Sequence, residues 1–564
     1  MIFAIFLLAL AVFSAMPASA TTAIPANAFL KSTGINGHLG QGYAEAPYEV
    51  PFKFTGIRNL RDDPRNLSGL ITLHNNTVVT GSYPGVMVDV LSWPSTVVSN
   101  GTALVNAGAL LSLEGPNEPN NFTITYNGVL GGGGYSWLPV AQLQRDLYAA
   151  VKGSALSSYP VFTVSEPGAE TDNVGLQFLT IPAGAGTLMP DGTKYADYAN
   201  LHNYVDNNAH VPPPDNIAWR SAEPTASSPA DGVSGEFVGT TWAHHFTASP
   251  AGTLLPRVTT ETSWGTIGTS AVSEAQQGRI LLDVYLSQFA RGWGYTFWYE
   301  LHDGEGGDTT GEGILRADWS AKPAATYMHN LTTILADVAD GTPSALNYSI
   351  PSEPATVHDL LLQKSNGKFE LIVWDDRPIG EGSDPVTVNL GASSAVNVYD
   401  TTVGTTATQT FSNVNTVSLT LNDHPMIVEV SPNVVLGNIA LNKPATASST
   451  YTGYPASYAF DGSLTTRWSS QFSDPQWIYV DLGSIQNISE VKLTWEAAYG
   501  KAYQIHVSND ATNWTSVYST TTGTGGVNDL TGIVGTGRYV RMYGTQRGTS
   551  YGYSLKEFVV YGSQ

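Results

Sequence analysis

The sequence predicts an α/β protein: a (β/α)8 barrel, then a small antiparallel β-domain, then a C-terminal domain of strands alone. Three observations predict it. Residues 24–340 alternate short apolar runs with helical patterns, as βα units around a parallel sheet do. Helical patterns stop after residue 340. From residue 437 onward, turn signals such as Asp461-Gly462 and Ser508-Asn509-Asp510 recur at short intervals. The boundaries read from these shifts are 21–340, 341–436 and 437–564.

The barrel strands are read in order. Ile35–His38 is the first and Phe54–Arg58 the second. Leu70–Leu73 or Val86–Leu91 is the third, and Ala109–Leu113 the fourth. Val161–Ser165, Ala199–Tyr204, Arg257–Thr260 and Tyr295–Tyr299 complete the eight. Val140–Val151, Ser273–Arg291 and Ala324–Ala339 carry apolar residues at helical spacing. An open doubly wound sheet is the alternative, but no GxGxxG follows the first strand. In the second domain Leu360–Gln363, Phe369–Val373, Val386–Leu390 and Val417–Leu421 read as strands.

Composition narrows the function. Of 564 residues 42% are hydrophobic and 13% charged, as in a globular chain with several cores. The net charge of −22 disfavours a nucleic acid or an anionic membrane as partner, and leaves a neutral polysaccharide compatible. Residues 2–13 are almost wholly apolar and Ala18-Ser19-Ala20 follows, which reads as a secretory signal peptide at 1–20, although its first basic residue is only Lys31. The run is too short to span a bilayer, and no later stretch reads as a transmembrane helix. There is no cysteine, so an exported chain must rely on its cores.

Two carboxylates carry the chemistry. The fourth strand runs into Leu113-Glu114-Gly115-Pro116-Asn117-Glu118-Pro119-Asn120, and the seventh into Thr260-Glu261-Thr262. The C-terminal ends of barrel strands share one mouth, so Glu118 and Glu261 face each other across it. Glycosidic cleavage needs two carboxyl groups flanking the bond, about 5–5.5 Å apart for retention. A lone strand-end glutamate is usually solvated or salt-bridged; the matching second one argues for catalysis.

Asn117-Glu118-Pro119 resembles the strand-four signature of clan A glycoside hydrolases, and Leu113 to Asn120 is similar to the longer motif of families 39 and 5. The resemblance implies that Glu118 is the acid/base, Glu261 the nucleophile, and Asn117 a partner of the sugar 2-hydroxyl. His202-Asn203-Tyr204 resembles the His-x-Tyr of family 5, which implies His202 at the sugar and Tyr204 beside Glu261. Arg58 resembles the arginine that keeps the nucleophile ionised, and Trp298 the tryptophan that floors the cleaved subsite. Each has a plain alternative: a salt bridge of Arg58 with Asp62 or Asp63, a core histidine at 202, and Tyr299 as the inward residue instead of Trp298. Glu118 is expected to be buried beside negative charge, which would keep it protonated.

Tyr126, Gly131 to Gly134, Tyr135 and Trp137 follow the fourth strand, where glycines and aromatic faces suit a sugar or simply cover a helix. Glu300-Leu301-His302-Asp303-Gly304-Glu305 follows the eighth and does not match an EF-hand.

At the C-terminus Ala459-Phe460-Asp461-Gly462, Thr466-Arg467-Trp468, Trp477 to Gly483, Arg538 to Arg541 and Leu555 to Phe558 resemble the discoidin or coagulation factor 5/8 type C domain, of which family 32 carbohydrate-binding modules are a branch. The resemblance implies a jelly-roll-like β-sandwich with a structural calcium at Asp461, Thr466 and Glu557. It also implies sugar at the loop tips, where Tyr454, Tyr499, Tyr551 and Tyr553 are candidates. No cofactor is expected for catalysis. The whole reads as a secreted retaining glycosidase acting on an oligo- or polysaccharide. Its rivals are a non-catalytic carbohydrate-binding protein on an inactive barrel, and a lyase of uronate polymers.

Overall fold

The computed structural model describes residues 19–119, 121–165, 189–190, 193–202, 204, 255–268, 271–354, 356–375, 382–432 and 438–563. The chain forms two compact units, one reaching Pro432 and one starting at Asn433. Strands dominate both.

The first unit holds eight parallel strands. They are β1 (Thr33–Asn36), β2 (Asn59–Asp62), β3 (Met87–Leu91), β4 (Leu110–Glu114), β5 (Val161–Phe162), β6 (Ala199–Leu201), β7 (Arg257–Thr262) and β8 (Tyr295–Trp298). They pair in chain order, with β8 against β1. Phe162 bridges Tyr198, and Thr163 N–H donates to the Tyr198 carbonyl at 3.1 Å. That contact brings β5 beside β6 and makes the parallel sheet barrel-like. Among the described residues Ala46–Thr55, Leu67–Thr77, Val97–Ala107, Leu138–Lys152, Glu274–Ala290 and Pro323–Ile334 are helices. They cover the outer face, because strands buried on both sides need apolar cover. The Glu274–Ala290 helix opens with a capping box, in which Ser273 and Gln276 satisfy each other's backbone N–H.

One strand expectation is corrected, and one pair of alternatives is resolved in favour of Val86–Leu91. Phe54–Arg58 is not a strand: Ala46–Thr55 is helical, with Tyr48 and Phe52 buried four residues apart on one face. Gly56 ends it with φ 69°, a left-handed conformation glycine adopts without strain, and its N–H caps the Phe52 carbonyl at 3.0 Å. The strand therefore starts at Asn59, and Arg58 precedes it. Leu70–Leu73 lies in a helix, so the third strand is Met87–Leu91.

The second sheet of this unit is antiparallel except at one edge. Its strands include Ala345–Ser349, Val357–Gln363, Phe369–Asp375, Asp384–Asp400, Gln409–Leu421 and Met426–Pro432. Ser19–Thr22 pairs with Ala345–Ser349, and Ile24–Pro25 with Val357–Gln363. This sheet thus draws its edges from the start of the chain, ahead of the parallel strands, and a cut after Ala20 would fall inside the first of these edge strands. Leu360, Leu362, Ile372, Trp374 and Ile427 share one core with the parallel sheet and its helices.

The second unit is a β-sandwich around Trp468, Ile478, Val480, Leu493, Ile505, Val540 and Phe558. Gln476–Trp495 and Val527–Arg547 are long strands with register shifts, and they pair with each other and with Ser554–Ser563 and Gly500–Ser508. No helix among the described residues is long and apolar enough to cross a membrane.

Candidate functional site

The carboxyl ends of the parallel strands surround a cleft of about 570 Å³ lined by Arg61, Asn117, Glu118, Tyr204, Glu261 and Tyr299, among others. Glu118 leaves the turn after β4 with φ 41°, an uncommon conformation for a side-chain-bearing residue. Its carbonyl accepts from Asn121 N–H at 2.9 Å and Phe122 N–H at 2.7 Å, which holds that turn. Glu261 lies on β7. Both are buried at 8% exposure, so little water competes for their oxygens.

His202 joins them. Its Nδ1 lies 2.7 Å from Glu118 Oε1 and 3.3 Å from Glu261 Oε2, and its Nε2 is 3.0 Å from Thr260 Oγ1. One atom each of Glu118, His202 and Glu261 lie within 4.8 Å of one another. Two carboxyl groups this close can flank a single bond. The same three atoms could also ligate a divalent cation. The Tyr204 hydroxyl donates to Glu261 Oε2 at 2.7 Å.

The arginine at the site is Arg61, not Arg58. Arg61 Nη1 donates to Glu261 Oε1 at 2.6 Å, and Nη2 to Asn117 Oδ1 at 2.7 Å. Its Nε and Nη2 grip both oxygens of Glu114, at 2.8 and 2.7 Å. Burial disfavours the Arg61 charge, but Glu114 and Glu261 outweigh it and hold the guanidinium firmly protonated. Behind them Asp89 accepts from Ser112 Oγ at 2.7 Å. Burial pushes Asp89 well up and Glu114 reinforces this, whereas Arg61 overcomes burial at Glu114 and holds it low. Arg58 lies before β2, with its guanidinium 5.1 Å from the Tyr83 ring centre and its Nη2 3.4 Å from the Asp337 carbonyl.

Glu118 departs from expectation as well. Burial raises it, but the hydrogen bond and charge of His202 and a 3.0 Å bond from Asn121 Nδ2 outweigh burial, so the resting carboxyl lies below its ordinary value. The aromatic wall is Tyr299. Trp298 is fully buried, and its Nε1 donates to the Glu312 carbonyl at 3.0 Å. Sequence reasoning passed over Arg61 and Glu114. Glu114 stands four residues before Glu118 in the same motif, and Arg61 emerges only once β2 is placed correctly.

In the second unit Asp461, Thr466 and Glu557 come together. Thr466 Oγ1 donates to both oxygens of Asp461, at 2.9 and 2.7 Å, and Glu557 Oε1 accepts from Gly462 N–H. Among the described residues Glu557 Oε2 is buried without a hydrogen bond. Burial, with Asp461 adding to it, pushes Glu557 up to about 7. Of the tyrosine candidates, Tyr553 is fully buried and Tyr499 packs against the core. Tyr551 is 63% exposed and joins two rings the sequence did not single out, Phe472 at 47% and Tyr451 at 41%. Tyr451 and Phe472 stack at 5.1 Å, and Phe472 meets Tyr551 edge-on at 5.8 Å. Arg467 lies 4.3 Å over the adjacent Tyr454 ring.

The profile of the F5/8 type C domain family matches residues 444–558. A polysaccharide lyase 8 family protein, HylA of Enterococcus faecalis, is 40% identical over 76 residues, which are 14% of this chain and 6% of that protein. The chain therefore spans only a small part of that curated relative. Chitosan-binding module 1 of a chitosanase/glucanase from Paenibacillus sp. IK-5 is 62% identical over 22% of this chain and 98% of the module, with a TM-score of 0.22. The family 32 carbohydrate-binding module of NanJ from Clostridium perfringens, solved with galactose, is 27% identical over 21% of this chain and 93% of the module, with a TM-score of 0.20.

Proposed function

We propose that this chain is a secreted retaining glycoside hydrolase that cuts β-glycosidic bonds of an oligo- or polysaccharide, its parallel sheet a (β/α)8 barrel of the clan A kind. One observation carries the reading: oxygens of Glu118 and Glu261 lie within 4.8 Å of each other and of His202, at the carboxyl ends of β4 and β7. That proximity suits double displacement.

Glu261 attacks the anomeric carbon. Arg61 and Tyr204 donate to its two oxygens and aim them. As the glycosidic bond breaks, its electron pair goes to the leaving oxygen, which takes a proton from Glu118. A water then attacks the glycosyl-enzyme; Glu118 removes its proton and Glu261 departs as carboxylate. His202, hydrogen-bonded to Glu118, holds the acid low in the resting cleft. A bound sugar displaces water and lifts Glu118 toward its protonated form. Asn117, tied through Oδ1 to Arg61, keeps its amide N–H group for the sugar.

The C-terminal module holds the polymer, with Tyr451, Phe472 and Tyr551 as its stacking surface. A calcium ion at Asp461, Thr466 and Glu557 would stabilise the Asp461-Gly462 turn, since a divalent cation relieves the repulsion between Asp461 and the buried Glu557.

The test is turnover on aryl-glycosides and a polysaccharide panel that includes chitosan, the ligand named for the Paenibacillus modules. Product configuration is read by NMR. Retained configuration supports the proposal. An unsaturated product would indicate a lyase, and no product at all a non-catalytic binder.

A further inference from the structure

Behind the cleft lies a buried carboxyl, Glu300, that the catalytic steps leave unused. Glu300 follows β8 and is fully buried, and among the described residues neither of its oxygens has a well-formed hydrogen bond. His38 Nδ1 is 3.1 Å from Glu300 Oε2 and 3.9 Å from Glu305 Oε2. Tyr48 frames the group: its hydroxyl accepts from His38 N–H at 3.1 Å and donates to Glu305. Burial, then the charges of Asp308 and Glu305, push Glu300 up to about 10. Burying such a group is costly, and it braces no backbone or cap. What it faces is the imidazole of His38.

His38 lines the cleft with Gly37, Gln41, Tyr299 and Gly306. Its ring meets Tyr299 edge-on at 5.6 Å. A Cβ on Gly306 would stand 2.4 Å from His38 Nε2 and 2.7 Å from the Tyr299 hydroxyl. Gly306 has φ 59°, so glycine both suits the backbone and leaves these two polar atoms uncovered. Glu300 thus lies against one ring nitrogen, 3.1 Å away, while the other is on the side of Gly306 and the cleft.

We propose that His38, backed by Glu300 and flanked by the Tyr299 hydroxyl, reads a hydroxyl of an uncharged sugar ring. The inference rests on the glycosidase reading and names the substrate class for it. The ring is uncharged because, among the described residues, the one buried cation of the cleft is already paired and its floor is acidic. Arg61 and Arg65 are the arginines that line it, and no lysine does so among the described residues. Arg61 is held by Glu114 and Glu261, and Arg65, whose side chain is 65% exposed, pairs with Asp63 at 2.9 Å on the rim. A uronate carboxylate would meet acidic groups there.

The experiment takes the best aryl-glycoside of the wild-type chain and its monodeoxy analogues. The wild type should reject one analogue by on the order of 10–100-fold in kcat/KM, the worth of a buried hydrogen bond. His38→Ala should slow the parent by that factor and leave that analogue untouched. Glu300→Leu should slow the parent in the same way without lowering the melting temperature, because an apolar group replaces an unsatisfied one. Glu300→Gln should retain most of the discrimination. A His38→Ala variant that slows every analogue equally, or none, overturns the proposal, as does a Glu300→Leu that melts early with discrimination intact. If the wild type cleaves no glycoside, the hydrolase reading fails on its own. Oligosaccharide affinity by calorimetry then decides: weaker binding by His38→Ala supports the contact, while equal or absent binding overturns it. The C-terminal module is the same in both chains, so the difference reports the cleft.

Discussion

Arg61→Gln is the sharpest perturbation of the site. The guanidinium makes four hydrogen bonds to Glu114, Glu261 and Asn117, all in a buried setting. Bonds to charged groups are worth about 1.5–3 kcal/mol each, but they do not add within one network. Breaking a buried ion pair by removing one partner costs about 3–5 kcal/mol, and that is the better estimate. In a large unit about 2–3 °C is lost per kcal/mol, so the first unit should melt about 6–15 °C lower. Turnover should fall by roughly two orders of magnitude or more, because Glu261 loses the group that aims it. The pH dependence has a definite sign. Glu114 is held below its ordinary value of 4.5 in the folded chain, so its contribution is present above 4.5 and lost as pH falls through the lower folded value. The gap between wild type and variant should therefore narrow on acidification below 4.5. Scanning calorimetry at several pH values, with aryl-glycoside kinetics, reads all three. A shift under 2 °C that does not change with pH would refute the reasoning.

Four further outcomes are expected. Glu261→Ala should lose activity with every leaving group and regain some with azide, giving an inverted product; Glu118→Ala should spare activated aryl-glycosides and give a retained azide adduct, both read by NMR. His202→Phe removes what holds Glu118 low, so the alkaline limb of kcat/KM against pH should move up; an unmoved limb would exclude that role. Chelator should lower the melting of the C-terminal unit alone, and in chelator that unit should lose stability as pH rises from 4.5 through about 7, because Glu557 is raised in the folded state. The double variant Phe472→Ala and Tyr551→Ala should weaken polymer binding about 10–100-fold in a pull-down while soluble-substrate turnover holds.

Much of this was legible locally. Apolar runs and helical spacing located six strands within a few residues, because burial on both faces or on one helix stripe imposes a local period. Glu118 and Glu261 were legible because strand ends in such a sheet converge. The aromatic, Asp-Gly and Trp signature of residues 444–558 was legible because a compact module gathers it within a short span. Tertiary structure alone decided the partners. Arg61 displaced Arg58 because the stretch read as the strand Phe54–Arg58 begins in a helix that Gly56 ends, so the strand starts only at Asn59. Tyr299 displaced Trp298 because successive residues point to opposite sides of an extended chain, and only the folded chain says that Trp298 packs into the core while Tyr299 lines the cleft. The ring cluster of Tyr451, Phe472 and Tyr551, and the Glu300 to His38 contact, join residues far apart in the chain. Such pairs leave no periodic trace. Their geometry exists only after the cores have brought distant segments together, and that is where the chemistry of this chain is set.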